Sequence, residues 1–349
     1  RLREKRFVSL IDLEFGRVDP TYEALVTAGL QLTDSFYQLH AAGLCYRDIS
    51  YGNVFFDPQT GDVLICDNDN VTENRSPNCG ILGTPEFMAP EIVRSETLPS
   101  RQTDQYSLSL LLFKILNTNH PLLGSKMKAI RCWDLPAMNK LLGKEPVFIF
   151  DPINDSNRPV PLDRDELGEA GGSALETWPA FPQFVRDAFI RAFTVGLHDP
   201  DKRVTEGEWK GILGRLRDSI FPCSQCKLEN FFDDALGKAR KCPFCQHTPR
   251  LPYQLRIGRT VIMLSNRGRV FPHHLDARAD LQFGQPAGEV VQHPTNPNAW
   301  GLKNVTQTGW TLTTSDGTLK DVPPGKSVPL AVGTKIHFGT ADGEIVYAS

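Results

Sequence analysis

Apolar and polar positions follow different rhythms in the first and last parts of this chain. Over residues 21–43, Leu25, Leu32, Phe36 and Leu39 recur at spacings near 3.6 and predict one helix with a single buried stripe. Asp19-Pro20 offers an N-cap and a first-turn proline, and Gly43 a stop. Two short apolar runs, 54–56 and 63–66, flank the turn-rich DPQTGD and predict a hairpin. A helical rhythm resumes over 103–117, where the Leu and Phe stripe at 110–116 reads as core, and it extends to about residue 220. A loop at 151–180 interrupts it, opening on a stretch rich in Pro, Gly and acids that predicts an exposed excursion.

After Cys245 the texture changes to strand and turn. Runs at 261–264, 289–292, 309–313, 327–330 and 334–338 are mostly β-branched or aromatic, with Gly, Pro, Asn and Asp between them. That spacing predicts a small β-sandwich over 255–349, joined through a linker at 250–254 that Pro249 and Pro252 flank. With 349 residues, more than one domain is expected. At 40% apolar and 23% charged residues the chain reads as globular, which excludes disorder, collagen and coiled coil over most of its length. Apolar runs such as 110–113 fall far short of the ~20 residues that span a bilayer, and no basic-apolar leader opens the sequence. A cytoplasmic protein without a membrane partner is expected.

The net charge of −3 gives no pull toward nucleic acid, and residues 250–349, with 10 basic and 7 acidic side chains, change that little. The cysteines discriminate better. Cys45, Cys66, Cys79 and Cys132 stand singly and read as reduced thiols. Cys223-x2-Cys226 and Cys242-x2-Cys245 have the spacing of a closed, structural four-thiolate zinc site, with two disulfides as the bland alternative. His247 is surplus, and the mixed charges around the knuckles argue for a structural module or protein contact rather than a nucleic-acid reader.

The chemistry concentrates in YRDISYGNVFF, residues 46–56, and LICDND, residues 64–69. Asp48 and Asn53 lie five residues apart on a loop that enters the hairpin, and Asp67 leaves its second strand. One carboxylate to accept a hydroxyl proton, plus a carboxylate and an amide for hard cations, is what transfer from a Mg-nucleotide requires. This spacing resembles the protein-kinase catalytic loop and metal motif. GTPEFMAPE at 83–91 resembles the end of a kinase activation segment. Asp104 falls where that family anchors its catalytic loop from a central helix, and Arg203 of DPDKR where it pairs with the glutamate here at Glu91.

CDNDN, VFIFDP, SNRPVP and the cysteine pairs are similar to the bacterial tellurite-resistance-associated triad kinase, a likeness covering about residues 1–249. GLKNVTQTGW and VPLAVGTKIHFG resemble the last strands of a forkhead-associated domain, which reads phosphothreonine. Gly258-Arg259 is the candidate for its Gly-Arg pair. Thr308-Gly309-Trp310 stands where that family prefers Asn-Gly-Thr, and its Ser-x-x-His motif has no clear counterpart, so a docking sandwich and a phosphopeptide reader both stay open.

The resemblance implies an α+β multidomain chain: a mostly helical kinase large lobe over 1–221, a zinc ribbon over 222–249 and the all-β sandwich. It implies a serine/threonine-type protein kinase using ATP, Mg2+ or Mn2+, and structural Zn2+. Its partners would be a protein substrate and, by the triad, a metal-dependent phosphatase and a von Willebrand A-type protein. Asp48 would be the base, Asn53 and Asp67 the magnesium ligands, and Arg47 a partner for a phosphorylated activation-segment residue. Glu91, Asp104 and Arg203 would be structural. Tyr46 replaces the usual histidine, Asn68-Asp69 replaces Phe-Gly, and Ser50 stands where a phosphate-steadying lysine is usual. Asp69 either binds cation or lies in solvent. No glycine-rich loop, strand lysine or helix glutamate precedes Asp48, and RLREKRF does not substitute, so a fragment without its small lobe is expected, with a natural large-lobe protein as the alternative. A pseudokinase scaffold that docks a phosphatase or phosphoprotein is the competing function. Thr72, Ser76 and Thr84 are conceivable phosphosites, and His40, His120 and His198 read as ordinary helix or loop residues.

Overall fold

The computed structural model describes residues 7–76, 83–159, 174–314 and 316–347. Cys79, the basic opening residues and most of the acidic excursion lie outside the described residues. Two compact units divide at Leu213 and Gly214, which groups the cysteine pairs with the β-rich region.

In the first unit the helix Tyr22–Ala41 buries Leu25, Leu32 and Phe36. Its cap differs from expectation: Thr21 rather than Asp19 is the N-cap, its hydroxyl accepting the Ala24 N–H at 3.2 Å. Gly43 follows with φ +78°, the left-handed stop. The antiparallel strands Val54–Phe56 and Val63–Ile65 form the hairpin. Its turn needs glycine at Gly61, because the backbone there has φ +77° and an added Cβ would lie 2.2 Å from the Ala24 carbonyl oxygen. Gln31 fixes the same turn, accepting from Val63 N at 2.9 Å and donating to Asp62 Oδ1 at 3.2 Å.

The central helix Arg101–Asn117 is buried at every position from Thr103 to Asn117. A helix covered on all faces is a core strut, and its polar residues can only serve as internal ties. Ser100 opens it with a capping box shared with Thr103. Phe113, Phe148, Trp178, Phe189 and Phe193 form an aromatic cluster against it.

Among its described residues the second unit contains two larger antiparallel sheets and a two-stranded one, Ile220–Pro222 with Glu229–Phe231. Six strands run in the order Leu319–Val322, Trp310–Thr313, Lys335–His337, Asp342–Tyr347, Tyr253–Ile257, Thr260–Leu264. Four run Arg269–Val270, Gly288–Gln292, Trp300–Asn304, Ser327–Pro329. Leu255, Ile262, Trp310 and Ile336 of the first sheet and Leu302 and Val328 of the second share one buried core, the mark of a sandwich. The first strand starts at Tyr253, inside the expected linker. Pro252 marks a boundary in the sequence, but after it Leu255 and Ile257 are buried on either side of the exposed Arg256, as in a strand with one face on the core. Among the described residues, no helix is long and apolar enough to cross a membrane.

Candidate functional site

Asp104 organises the site from the central helix. Its carboxylate accepts the backbone N–H of Tyr46 at 2.7 Å and of Arg47 at 3.1 Å. Those two bonds hold Arg47 at φ 66°, a left-handed conformation that costs a non-glycine residue about 1–2 kcal/mol. The turn this creates leads the chain into Asp48. Asn53, on the short helix Tyr51–Asn53, donates from Nδ2 to the Asp48 carbonyl at 3.0 Å and so closes the loop on itself. Ser50 is buried at the start of that helix and makes no side-chain cap.

Asp67 also has positive φ, 61°, where the hairpin's second strand gives way to the short helix Asn68–Asn70. Three bonds brace this exit against the loop. Cys66 N donates to Asn53 O at 2.8 Å, and the Tyr46 hydroxyl donates to the carbonyls of Cys66 at 2.6 Å and Asp67 at 3.1 Å. Burial first, and the charges of Asp67 and Asp48 next, push the Tyr46 hydroxyl up to about 12, so it remains a donor. Tyrosine at this position therefore ties the loop to the end of the hairpin at Cys66 and Asp67 through its side chain. Asp67, Asn68 and Asp69 are exposed.

The Asp48 carboxylate is held from both sides. Thr84 donates to Oδ1 at 2.6 Å and Asn70 to Oδ2 at 3.4 Å. Gly83 admits this approach: an added Cβ would lie 2.9 Å from the Arg47 carbonyl oxygen. Thr84 is thus a partner of Asp48, which a reading of loop hydroxyls as phosphosites misses. The Arg47 guanidinium donates to the Thr72 hydroxyl.

Two buried charge networks frame the loop. Arg203 pairs with Glu91 through two bonds of 2.8 Å and donates to the carbonyls of Gly196 and Gln102. His40 lies between carboxylates, its Nε2 3.0 Å from Asp104 Oδ2 and its Nδ1 2.5 Å from Glu206 Oε1. Burial pulls its imidazolium down, but hydrogen bonds to Asp104 and Glu206 outweigh that, and its pKa is raised. Glu206 also accepts from Arg101 and Gln105. His40 is no ordinary helix histidine. Its partners lie 64 and 166 residues away, a separation that periodicity does not reveal.

The four paired cysteines form a separate centre in the second unit. The two knuckles repeat one backbone design. Cys223 N donates to Leu228 O and Cys242 N to His247 O, each at 2.8 Å, while Lys227 N and Gln246 N donate back to Cys223 O and Cys242 O. Lys227 and Gln246 both adopt positive φ to make these turns. The four sulfurs lie within 4.8 Å of one another, with Cys223–Cys245 at 3.7 Å and Cys226–Cys242 at 3.6 Å. Four sulfurs at about 2.3 Å around a tetrahedral zinc would stand about 3.8 Å apart, so this donor set fits zinc. Burial raises the Cys242 thiol, but backbone N–H groups of Cys245 and Phe244 lead the effects that bring it down to about 7. Cys226, by burial and beside the other thiols, is pushed up to about 12. Thiols this close resist ionising together unless a cation joins them.

Residues 18–156 match the family model "Protein kinase domain". The chain is 34% identical over 97 residues to "Ribosomal protein S6 kinase alpha-4" of Homo sapiens, covering 27% of this chain and 12% of that protein. It is 32% identical over 155 residues to "Serine/threonine-protein kinase YPK3" of Saccharomyces cerevisiae, covering 41% and 28%. It is 24% identical over 191 residues to "Protein kinase gsk3" of Schizosaccharomyces pombe, covering 50% and 48%. The chain thus spans less than half the length of each of these relatives. Taken with the loop that Asp104 anchors, these matches make residues 18–156 a protein kinase domain.

Proposed function

We propose that the protein transfers the γ-phosphate of ATP to a serine or threonine hydroxyl of a protein substrate. The observation that carries this reading is the Asp48 carboxylate, held between Thr84 and Asn70 on a loop bonded to the segment bearing Asp67. Asp48 accepts the proton as the substrate oxygen bonds to phosphorus and the bond to the ADP oxygen breaks. Asn53 and Asp67 would hold Mg2+ or Mn2+, which supplies charge neutralisation at the phosphates. Arg47, already donating to Thr72, would meet a phosphorylated residue of the activation segment. General-base catalysis contributes about 10²–10⁴ in rate. Asp48→Asn should therefore abolish transfer from labelled ATP in the intact protein while leaving its thermal midpoint close to the parent's. A variant that labels substrate as well as the parent overturns the assignment.

The scaffold reading draws on a different observation: Leu228 and Phe244, beside the cysteine knuckles, are 49% and 51% exposed. In that reading a zinc-ordered ribbon and a forkhead-associated-like sandwich dock partners, which the triad resemblance would make a metal-dependent phosphatase and a von Willebrand A-type protein. It predicts no Mg-nucleotide-dependent thermal shift in the intact protein, so one titration separates the two readings.

A further inference from the structure

We propose that Asn70 is a positioning residue for the base of the phosphoryl-transfer reaction, an inference that rests on the role assigned to Asp48 above. A carboxylate that takes a proton must present one lone pair to the incoming hydroxyl, and a free carboxylate rotates about χ2. Asp48 is clamped against that rotation by one neutral donor on each oxygen, Thr84 Oγ1 at 2.6 Å on Oδ1 and Asn70 Nδ2 at 3.4 Å on Oδ2. The donors come from opposite ends of the segment that follows the hairpin, so a single carboxylate reports whether both ends are seated.

The backbone explains why Asn70 reaches inward. Asp67 turns the chain at φ 61°, and the short helix that follows leaves Asn68 and Asp69 exposed while Asn70 is half-buried. The Val71 N–H donates to Asn68 O at 3.1 Å and closes this turn. One turn therefore carries both the carboxylate proposed to hold the cation and the amide that holds the base. The two carbonyls that accept from Tyr46 keep it against the catalytic loop. A neutral amide suits the task, because it orients Asp48 without adding charge beside it. The longer of the two bonds is the one with room to shorten when substrate and nucleotide close the site, as catalytic hydrogen bonds do. Ser50 removes the cation that a lysine would bring to this loop, which leaves the orientation of Asp48 to these two neutral donors.

The test has two independent arms. With nitrogen-15 asparagine labelling of the full chain, the Asn70 side-chain amide should shift on Asp48→Ala, and the Asn304 amide, which donates to Thr308 O and Val322 O in the sandwich, should stay in place. An Asn70 amide that does not move overturns the pairing, whatever the enzyme does. In the transfer assay, Asn70→Ala should lower kcat about 10–100-fold with the KM for ATP unchanged. Asn70→Ser, which restores a short donor, should recover part of that loss, and Asn70→Asp, which faces Asp48 with a like charge, should recover none. Equal kcat in all four proteins overturns the positioning role. An inactive parent with a responsive Asn70 amide sinks the kinase assignment and, with it, the catalytic purpose of the clamp.

Discussion

Arg203 grips Glu91 through two parallel hydrogen bonds of 2.8 Å that join residues 112 positions apart. Both side chains are almost wholly removed from water. Breaking such a pair strands one charge, which costs about 3–5 kcal/mol, whereas replacing both partners with apolar groups costs far less. Glu91→Gln and Arg203→Met should each lower the urea midpoint of the first unit, and Glu91→Leu combined with Arg203→Met should recover much of the loss. Trp178 and Trp209, both buried there, report the transition. Single variants with the parent's midpoint would contradict this.

The His40 network makes stability depend on pH in two directions. Burial disfavours the His40 cation, but the Asp104 and Glu206 hydrogen bonds outweigh it and raise the folded value above the ordinary 6.5. Its contribution is then complete below about pH 6.5 and is lost as pH rises through the folded value. Glu206 runs the other way. Burial raises its carboxyl, but His40 and Arg101 overcome this and hold it at about 2, so its contribution is present above the ordinary 4.5 and lost as pH falls toward 2. The thermal midpoint should decline on the alkaline side of neutrality in the parent and lose that decline in His40→Gln. Parallel curves for the two proteins from about pH 5 to 9 would show that His40 does not titrate as its partners require.

The residues that were easiest to read in the sequence are those whose partners are close along the chain. The hairpin at 54–65, the stripe of Leu25, Leu32 and Phe36, and both cysteine knuckles announce themselves within a few positions. Thr84, Asn70 and His40 do not, because their meaning lies in contacts 36, 22 and 64 residues away. The strands Tyr253–Ile257 and Asp342–Tyr347 escaped for another reason. Gln254, Arg256, Asp342 and Glu344 dilute their apolar content, and pairing with each other supplies the missing stabilisation. The exchange of Asp19 for Thr21 as the helix cap is a shift of two residues, within the ordinary uncertainty of a helix end.

Lys114 offers a sharper test of how the first unit tolerates a buried cation. Its side chain is 4% exposed, and the ammonium lies 2.9 Å from Glu14 Oε1 and 4.2 Å and 5.1 Å from the ring centroids of Tyr51 and Phe87. It thereby joins the short helices Leu10–Glu14, Tyr51–Asn53 and Pro85–Phe87. Lys114→Met keeps much of the volume and leaves Glu14, which is 38% exposed, to water, so a loss of about 1–3 kcal/mol is expected from the cation–π and ion-pair contacts. Lys114→Glu places a carboxylate against Glu14 beneath two rings and should prevent the unit from folding. Denaturant unfolding of both variants checks the order. A Lys114→Glu protein as stable as Lys114→Met would mean that the site is far wetter than its burial indicates.

The cysteine centre should behave as a metal-dependent clip. Its two knuckles are tight turns in a segment, 220–249, whose apolar packing is a small cluster of Phe221 and Phe232 against Leu251 and Met263, and Asn230 adds a side-chain N–H to the Cys242 sulfur at 3.6 Å. Structural zinc in small modules contributes about 10–16 kcal/mol of apparent binding free energy at neutral pH, far more than such turns provide alone. One zinc per chain is expected. Its removal by a strong chelator should expose residues 220–249 to protease, while the strands built on the Leu255, Leu302 and Ile336 core stay protected. Cys226→Ser should reproduce the chelated pattern without chelator, and Asn230→Ala should release zinc faster without changing the stoichiometry. Metal is read by a zinc-sensitive dye after thiol modification and cleavage by mass spectrometry. A metal-free chain that resists protease across 220–249 as well as the loaded one would rule out the clip, because the turns would then hold themselves.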